Sequence, residues 1–149
     1  MQAAKDLSRA LEKFGVVGLK PRADGRFSLS HDGGRRIDIH PLPDGRLVFE
    51  VHLDDLPEAD AARVALLERA LHLPTTRLPV CHDILCLSPD TDSLLLQSEV
   101  PARAGPVAVE RALERFLNAA DAWSMAVVPG VQAAADRRAA QARHRTAHP

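Results

Sequence analysis

Aromatic side chains are scarce in this sequence of 149 residues, which has four Phe, one Trp and no Tyr, together 3%. Grooves that grip single-stranded nucleic acid combine basic side chains with several stacking rings, and the rings are missing here. Phe14, Phe49, Phe116 and Trp123 fall in apolar periodic patterns and Phe27 opens a short alternating run, so all five read as core. Net charge is missing too. Nineteen Lys and Arg face 20 Asp and Glu, a formal charge of -1, which argues against a dedicated nucleic-acid binder or a polybasic membrane-surface protein. No window approaches ~18 consecutive apolar residues, so no ordinary membrane span is expected. The opening MQAAKDLSRALEKF carries a charge every few residues and does not read as a signal-peptide core. With 46% apolar residues in a chain of this length, one cytoplasmic domain with a sizeable core is the expectation.

Chemistry-bearing motifs are equally sparse. The two cysteines, Cys81 and Cys86, have four residues between them and no second pair, next to His82 and Asp83. A zinc site needs converging thiolates and imidazoles, whereas a strand through this segment puts Cys81 and Asp83 on one face and His82, Ile84 and Cys86 on the other. The segment reads as two reduced thiols, with no metal and no nucleophile. His40 and His52 lie on neighbouring strands and could meet across them, but no motif completes a ligand set. Asp54, Asp55, Glu58 and Asp60 form an acidic run. Its plain reading is a helix start, where acids cap free amides and favour the positive end of the dipole. The glycines of HDGG and PDG belong to hairpin turns and match no phosphate loop. No catalytic residue, metal or cofactor is expected.

What the sequence does carry is patterning. Ala3, Leu7, Ala10, Leu11 and Phe14 recur at helical spacing through residues 3–14, with charges on the remaining circumference. Gly15, Gly18 and Pro21 close that stretch. Three alternating segments follow: Phe27 and Leu29, then Ile37 and Ile39, then Leu47 to Leu53. Asp-Gly steps at 32–33 and 44–45 punctuate them as an antiparallel meander. A second helix is expected from about Pro57 to Leu71 or Leu73, with Asp54 or Asp55 near its start and Pro74 as its stop. Val80–Leu87 and Leu94–Val100 read as a later strand pair. In the latter, Leu94, Leu96 and Ser98 lie opposite Gln97 and Glu99, as in a half-exposed antiparallel strand. Gly105-Pro106 then opens a last helix whose apolar face is Val109, Ala112, Leu113, Phe116, Leu117 and Ala120, extended by Trp123. The expected fold is α+β, an antiparallel twisted sheet with three helices in the order α-β-β-β-α-β-β-α.

The second helix has an unusual face pattern. Val64, Leu67 and Leu71 form one apolar stripe and Ala62, Leu66, Ala70 and Leu73 another, with Arg63 in the gap between them. A helix packed once on a sheet needs a single stripe. Two stripes call for a second partner, either elsewhere in the monomer or across a dimer interface. Residues 130–149 change character: they hold four Arg, one Asp and many Ala, and Val131 is their only larger aliphatic side chain. The chain therefore divides into a domain over 1–128 and an Ala/Arg-rich tail over 129–149, expected to be flexible.

The order of elements resembles the class I type III secretion chaperones, the Tir-chaperone-like family. The resemblance rests on Leu7, Leu11 and Phe14; on Ile37-Asp38-Ile39; on Leu47 to Leu53 leading into Asp54-Asp55-Leu56-Pro57; and on Ile84–Leu87, Leu94–Val100 and the face Ala112, Leu113, Phe116 and Leu117. It implies a non-enzymatic homodimer of the Gram-negative cytoplasm. Such a protein binds the extended N-terminal segment of one or more secreted effectors, keeps it competent for export and hands it to a secretion-apparatus component. The resemblance further implies Val64, Leu67, Leu71, Ile84, Leu85, Cys86 and Leu87 as dimer-interface candidates. The implied client contacts are Leu7, Leu11, Phe14, Phe27, Leu29, Ile37, Ile39, Leu47 and Phe49, with Arg35, Arg36 and Arg46 for polar client groups. A small dimeric structural or regulatory interaction module without an export client is the alternative from another class. It is told apart by whether a secreted protein copurifies.

Overall fold

The computed structural model describes residues 5, 7, 9, 11, 12, 20–31, 35–77, 83–101 and 104–127, with residues 73–77 as backbone alone. Its elements are β1 (Phe27–His31), β2 (Arg35–Pro41), β3 (Leu47–Asp55), α1 (Asp60–Arg77), β4 (Asp83–Ser88), β5 (Ser93–Val100) and α2 (Pro106–Val127). The five strands form one sheet in the order β1-β2-β3-β5-β4, and every neighbouring pair is antiparallel. This corrects the three-helix order: among the described residues the architecture is β-β-β-α-β-β-α with two helices. Of residues 3–14, the described Lys5, Leu7, Arg9, Leu11 and Glu12 have helical backbone, and the rest of that stretch lies outside the described residues. A stretch of that length is at the margin of helix stability on its own. Leu7 and Leu11 are nonetheless fully buried in the core. The tail beyond Val127 lies outside the described residues, as do the turn at 32–34, Phe14, Cys81 and His82.

Strict alternation builds the sheet. Register pairs Ile37 with Val51 and Ile39 with Phe49, so these side chains share one face. Asp38 opposite Glu50 marks the other. The apolar face receives α2, whose Val109, Ala112, Leu113, Phe116, Ala120 and Trp123 are buried as the periodicity requires. At the centre, the Phe49 and Phe116 rings meet tilted at 49° with centroids 5.7 Å apart. Pro106 opens α2 where a missing N–H costs nothing. Gly105 before it takes a φ of 77° and its carbonyl accepts the first helical bond from Val109.

Two tight turns share a sequence and a geometry. In Arg22–Arg26 and in Leu42–Arg46, an Asp-Gly pair is followed by Arg; the Asp carboxylate accepts the Arg N–H at 3.1 Å and the glycine has a φ of 79° or 89°. The second joins β2 to β3, as the Asp-Gly signal at 44–45 indicates.

Two boundaries depart from expectation. Asp54 and Asp55 cap no helix: they extend β3, pairing with Leu94 and Ser93 past a register shift between His52 and Asp54. The acid of the first helical turn is Asp60, and the first helical bond runs from Arg63 N–H to the Ala59 carbonyl. Helix α1 also runs through Pro74 to Arg77. A proline three residues from a helix end forfeits a single backbone bond, so it need not stop the helix.

Because Phe116 is the hub of the sheet–helix contact and fully buried, Phe116→Ala should destabilise the fold by about 3–5 kcal/mol through lost burial and an unfilled cavity. Urea unfolding should show this as a lower midpoint with little change in slope.

Candidate functional site

The surfaces left open by this packing are the two edges of the sheet, its outer face and one stripe of α1. Helix α1 packs chiefly on α2. Its Leu66 and Ala70 are buried, and Leu67 is half-buried against the core. On the other stripe Val64 is 53% and Leu71 68% exposed. Edge strand β4 adds Ile84 at 61% and Leu87 at 48%. Large apolar side chains this open, on a helix stripe and at an unpaired strand edge, are what soluble proteins normally cover. Of the interface candidates, then, Val64, Leu71, Ile84 and Leu87 are exposed, whereas Leu67, Leu85 and Cys86 are partly buried.

The apolar client-contact candidates lie elsewhere. Leu7, Leu11, Phe27, Leu29, Ile37, Ile39, Leu47 and Phe49 all belong to the monomer's own core, none more than 9% exposed. They sit in the half of the structure beneath β1, β2 and β3 and offer no open pocket. The polar candidates reach solvent already partnered. Arg35 pairs with Asp121 of α2, Arg36 with Asp38, and Arg46 with both Asp44 and Glu99. Among the described residues, edge strand β1 has a neighbouring strand on one side only.

Among the described residues the outer face of the sheet carries no helix; it is polar over β1 and β2 and includes Ile84, Cys86 and Leu95 towards β4. Ser28 donates to Asp38, which also accepts from Arg36 Nε at 2.9 Å. Gln97 donates to Glu50 at 2.6 Å, and His52 Nε2 lies 2.7 Å from Asp55. His40 does not meet His52. Its Nε2 lies 3.6 Å from Glu50, beyond hydrogen-bond reach, while His52 has Asp55 as its partner. Arg26, Arg36, Asp38, Glu50, His52 and Asp55 contribute to a shallow depression of about 540 Å³. Arg36 pairs with Asp38 and His52 with Asp55 within it, and its shallow, open form encloses too little for a small-molecule site. Among the described residues no group of three His, Cys, Asp or Glu is placed to hold a metal, and no helix is long and apolar enough to cross a membrane. Burial pushes the Cys86 thiol up, with Glu50 adding to it, and the thiol faces the Leu95 carbonyl at 3.8 Å. That is the setting of an inert thiol.

The model of the Tir chaperone protein (CesT) family matches residues 6–124. The chain belongs to that family. This match spans all five strands, α1 and α2 as far as Ser124. Among solved structures, the fold is similar to a chain of the HopA1-SchA chaperone-effector complex, at 17% identity over 83% of this chain and 93% of that one, with a TM-score of 0.64. It is also similar to a chain of the ExoU-SpcU complex from the type III secretion system of Pseudomonas aeruginosa, at 17% identity, covering 83% and 98%, with a TM-score of 0.62. A third likeness is to the Yersinia pestis structure of the type III secretion chaperone SycH with a fragment of YscM2, at 17% identity, covering 82% and 99%, with a TM-score of 0.59. At such identities these likenesses establish a shared fold. No curated protein matches the sequence.

The Asp38 cluster gives the outer face a defined pH response. Burial by itself raises the Asp38 carboxyl, but the hydrogen bonds from Ser28 and Arg36, with the charges of Arg36 and Arg22, outweigh it and hold the group below the ordinary aspartate range. A depressed carboxyl stabilises the fold fully above that ordinary range and loses its contribution as pH falls through the folded value. Asp38→Asn should therefore lower the urea midpoint at neutral pH, and the gap from the parent should shrink as the pH drops below the aspartate range.

Proposed function

We propose that this chain is a non-enzymatic cytoplasmic chaperone that binds the N-terminal region of a secreted type III effector and keeps it competent for export. Family membership across residues 6–124 is the observation that carries the reading. It also makes the chain bacterial and non-enzymatic; a Gram-negative host is part of the proposal.

The geometry suggests a division of labour between the two edges. An extended client segment adds along β1, whose outer backbone groups have no strand partner, and its side chains contact the surface above Phe27, Leu29, Ile37 and Ile39. Because those residues are buried, backbone pairing and the rim charges of Arg35 and Arg46 provide the grip, and the core residues shape the surface. Ordering the client costs conformational entropy, which the added strand bonds and apolar burial must exceed. The chain self-associates as a homodimer through Val64 and Leu71 of α1 with Ile84 and Leu87 of β4. Covering each of these half-open side chains contributes about 1–2 kcal/mol. The loaded dimer then delivers its client to a component of the secretion apparatus.

Affinity purification from the native bacterium under secretion-inducing conditions, with mass spectrometry of enriched partners, tests the client reading. The expected result is one secreted protein whose recovery is lost when its N-terminal segment is deleted. Repeated recovery of an unrelated cytoplasmic assembly alone sinks it. The interface is tested separately by sedimentation. Leu71→Glu should give a folded monomer, because the side chain is exposed in the protomer, whereas Leu67→Glu should also lower the unfolding temperature, because Leu67 touches the core.

A further inference from the structure

We infer that Asp92 and Arg63 form a positioning clamp that fixes the roll and placement of α1 against the β4–β5 turn, so that the open stripe of α1 is presented together with edge strand β4. This inference rests on the homodimer proposed above and names what pre-organises its surface.

Asp92 is the one residue other than glycine described with a positive φ, 46°. Side chains resist this left-handed backbone, which asparagine and aspartate tolerate better than most, and it persists where the surroundings over-determine it. Here they do so twice. The Asp92 carbonyl accepts the Leu56 N–H at 2.9 Å, tying the turn to the segment that leaves β3. The Asp92 carboxylate accepts both terminal nitrogens of Arg63, at 2.8 and 2.9 Å, in a fork-to-fork pair that sets direction as well as distance. One turn residue thus holds both the approach to α1 and its first turn.

Arg63 stands in the gap between the two apolar stripes, and that position gives the pair its leverage. Leu66 and Ala70 are seated against the core on one side of the helix. With Arg63 drawn to Asp92, the helix has two fixed bearings, and Val64 and Leu71 are left facing solvent. Leu87 lies near the end of β4, in the strand that leads into the same turn. The partners' side chains are 37% and 59% exposed, so the pair adds little to protomer stability; what it restricts is the freedom of α1 before association.

The test compares Arg63→Gln, Asp92→Gly and Leu71→Glu with the parent by sedimentation equilibrium, with circular dichroism and thermal unfolding of each protomer. Asp92→Gly removes the carboxylate while accepting the left-handed backbone, so backbone strain is not introduced with the lost pair. The expected result is a dimer dissociation constant raised about tenfold in both clamp variants, with folded protomers throughout, and a monomer for Leu71→Glu. If Leu71→Glu dissociates the dimer while both clamp variants associate as tightly as the parent, the clamp is refuted and the dimer stands. If Leu71→Glu leaves association unchanged, the dimer surface itself is wrong and the clamp falls with it. Unfolded clamp variants at temperatures where the parent is folded overturn the inference in favour of a purely structural pair.

Discussion

The contact between Phe49 and Phe116 is the constraint on which the rest of the structure depends. Phe49 lies in the central strand of the sheet, and Phe116 midway along the helix that covers it. A single helix against a five-stranded sheet commits one face to the core and leaves the other in water. Because strand side chains alternate, this commitment dictates the chemistry of every second residue: Ile37, Ile39, Val51 and Leu96 inside, Asp38, Glu50 and Gln97 outside. A one-residue slip would drive the carboxylates into contact with Phe116, so the register is strongly specified.

The same constraint explains the surfaces that remain. Helix α2 lies over the middle of the sheet, leaving α1 to pack on α2 and β4 to extend beyond the covered centre. Helix α1 consequently satisfies only one of its two stripes within the monomer, through Leu66 and Ala70. The Arg63–Asp92 pair makes up for part of the missing sheet contact by tying α1 to the turn between β4 and β5. The outer face solves its own problem differently, by pairing its polar groups with one another, along β2 as Arg36 does with Asp38 and between β5 and β3 as Gln97 does with Glu50.

What was legible in the sequence follows from which signals are local. Alternation at Phe27–Leu29, Ile37–Ile39 and Leu47–Leu53, the Asp-Gly step at 44–45, and proline at 106 each act within a few residues, and the strands, hairpin and helix start they indicate are present. Boundaries decided by partners elsewhere were not legible. Asp54 and Asp55 look like a cap until β5 is there to extend β3, and Pro74 looks like a stop although the helix continues to Arg77. The two stripes of α1 were readable as a call for a second partner, but which stripe is inward was not, since both have helical spacing. The apolar client candidates show the same ambiguity in its sharpest form. A side chain that fills a core and one that lines an open pocket obey the same period, and burial alone separates them. Nothing local announces the Asp92–Arg63 pair, whose members lie 29 residues apart. The position of Arg63 between two apolar stripes was the one hint.

The two sheet edges end with opposite chemistry, and that asymmetry has consequences for assembly. An unpaired edge invites another strand, and proteins usually blunt it with charge or cover it. β4 presents Ile84 and Leu87 to solvent; β1 presents Ser28 and Ser30 on its outer face with arginines at both approaches. In a two-fold dimer the same patch must serve both protomers, which an apolar surface does by self-complementarity. A polar edge flanked by arginines gains less from meeting its own copy, because like charges would face each other across the axis. The proposed self-association through β4 would leave β1 available in each protomer, at the other end of the sheet order. A client long enough to follow one β1 edge can reach the symmetry-related one only by passing around the dimer. On that proposal, extended binding follows from where the two edges lie in the sheet order.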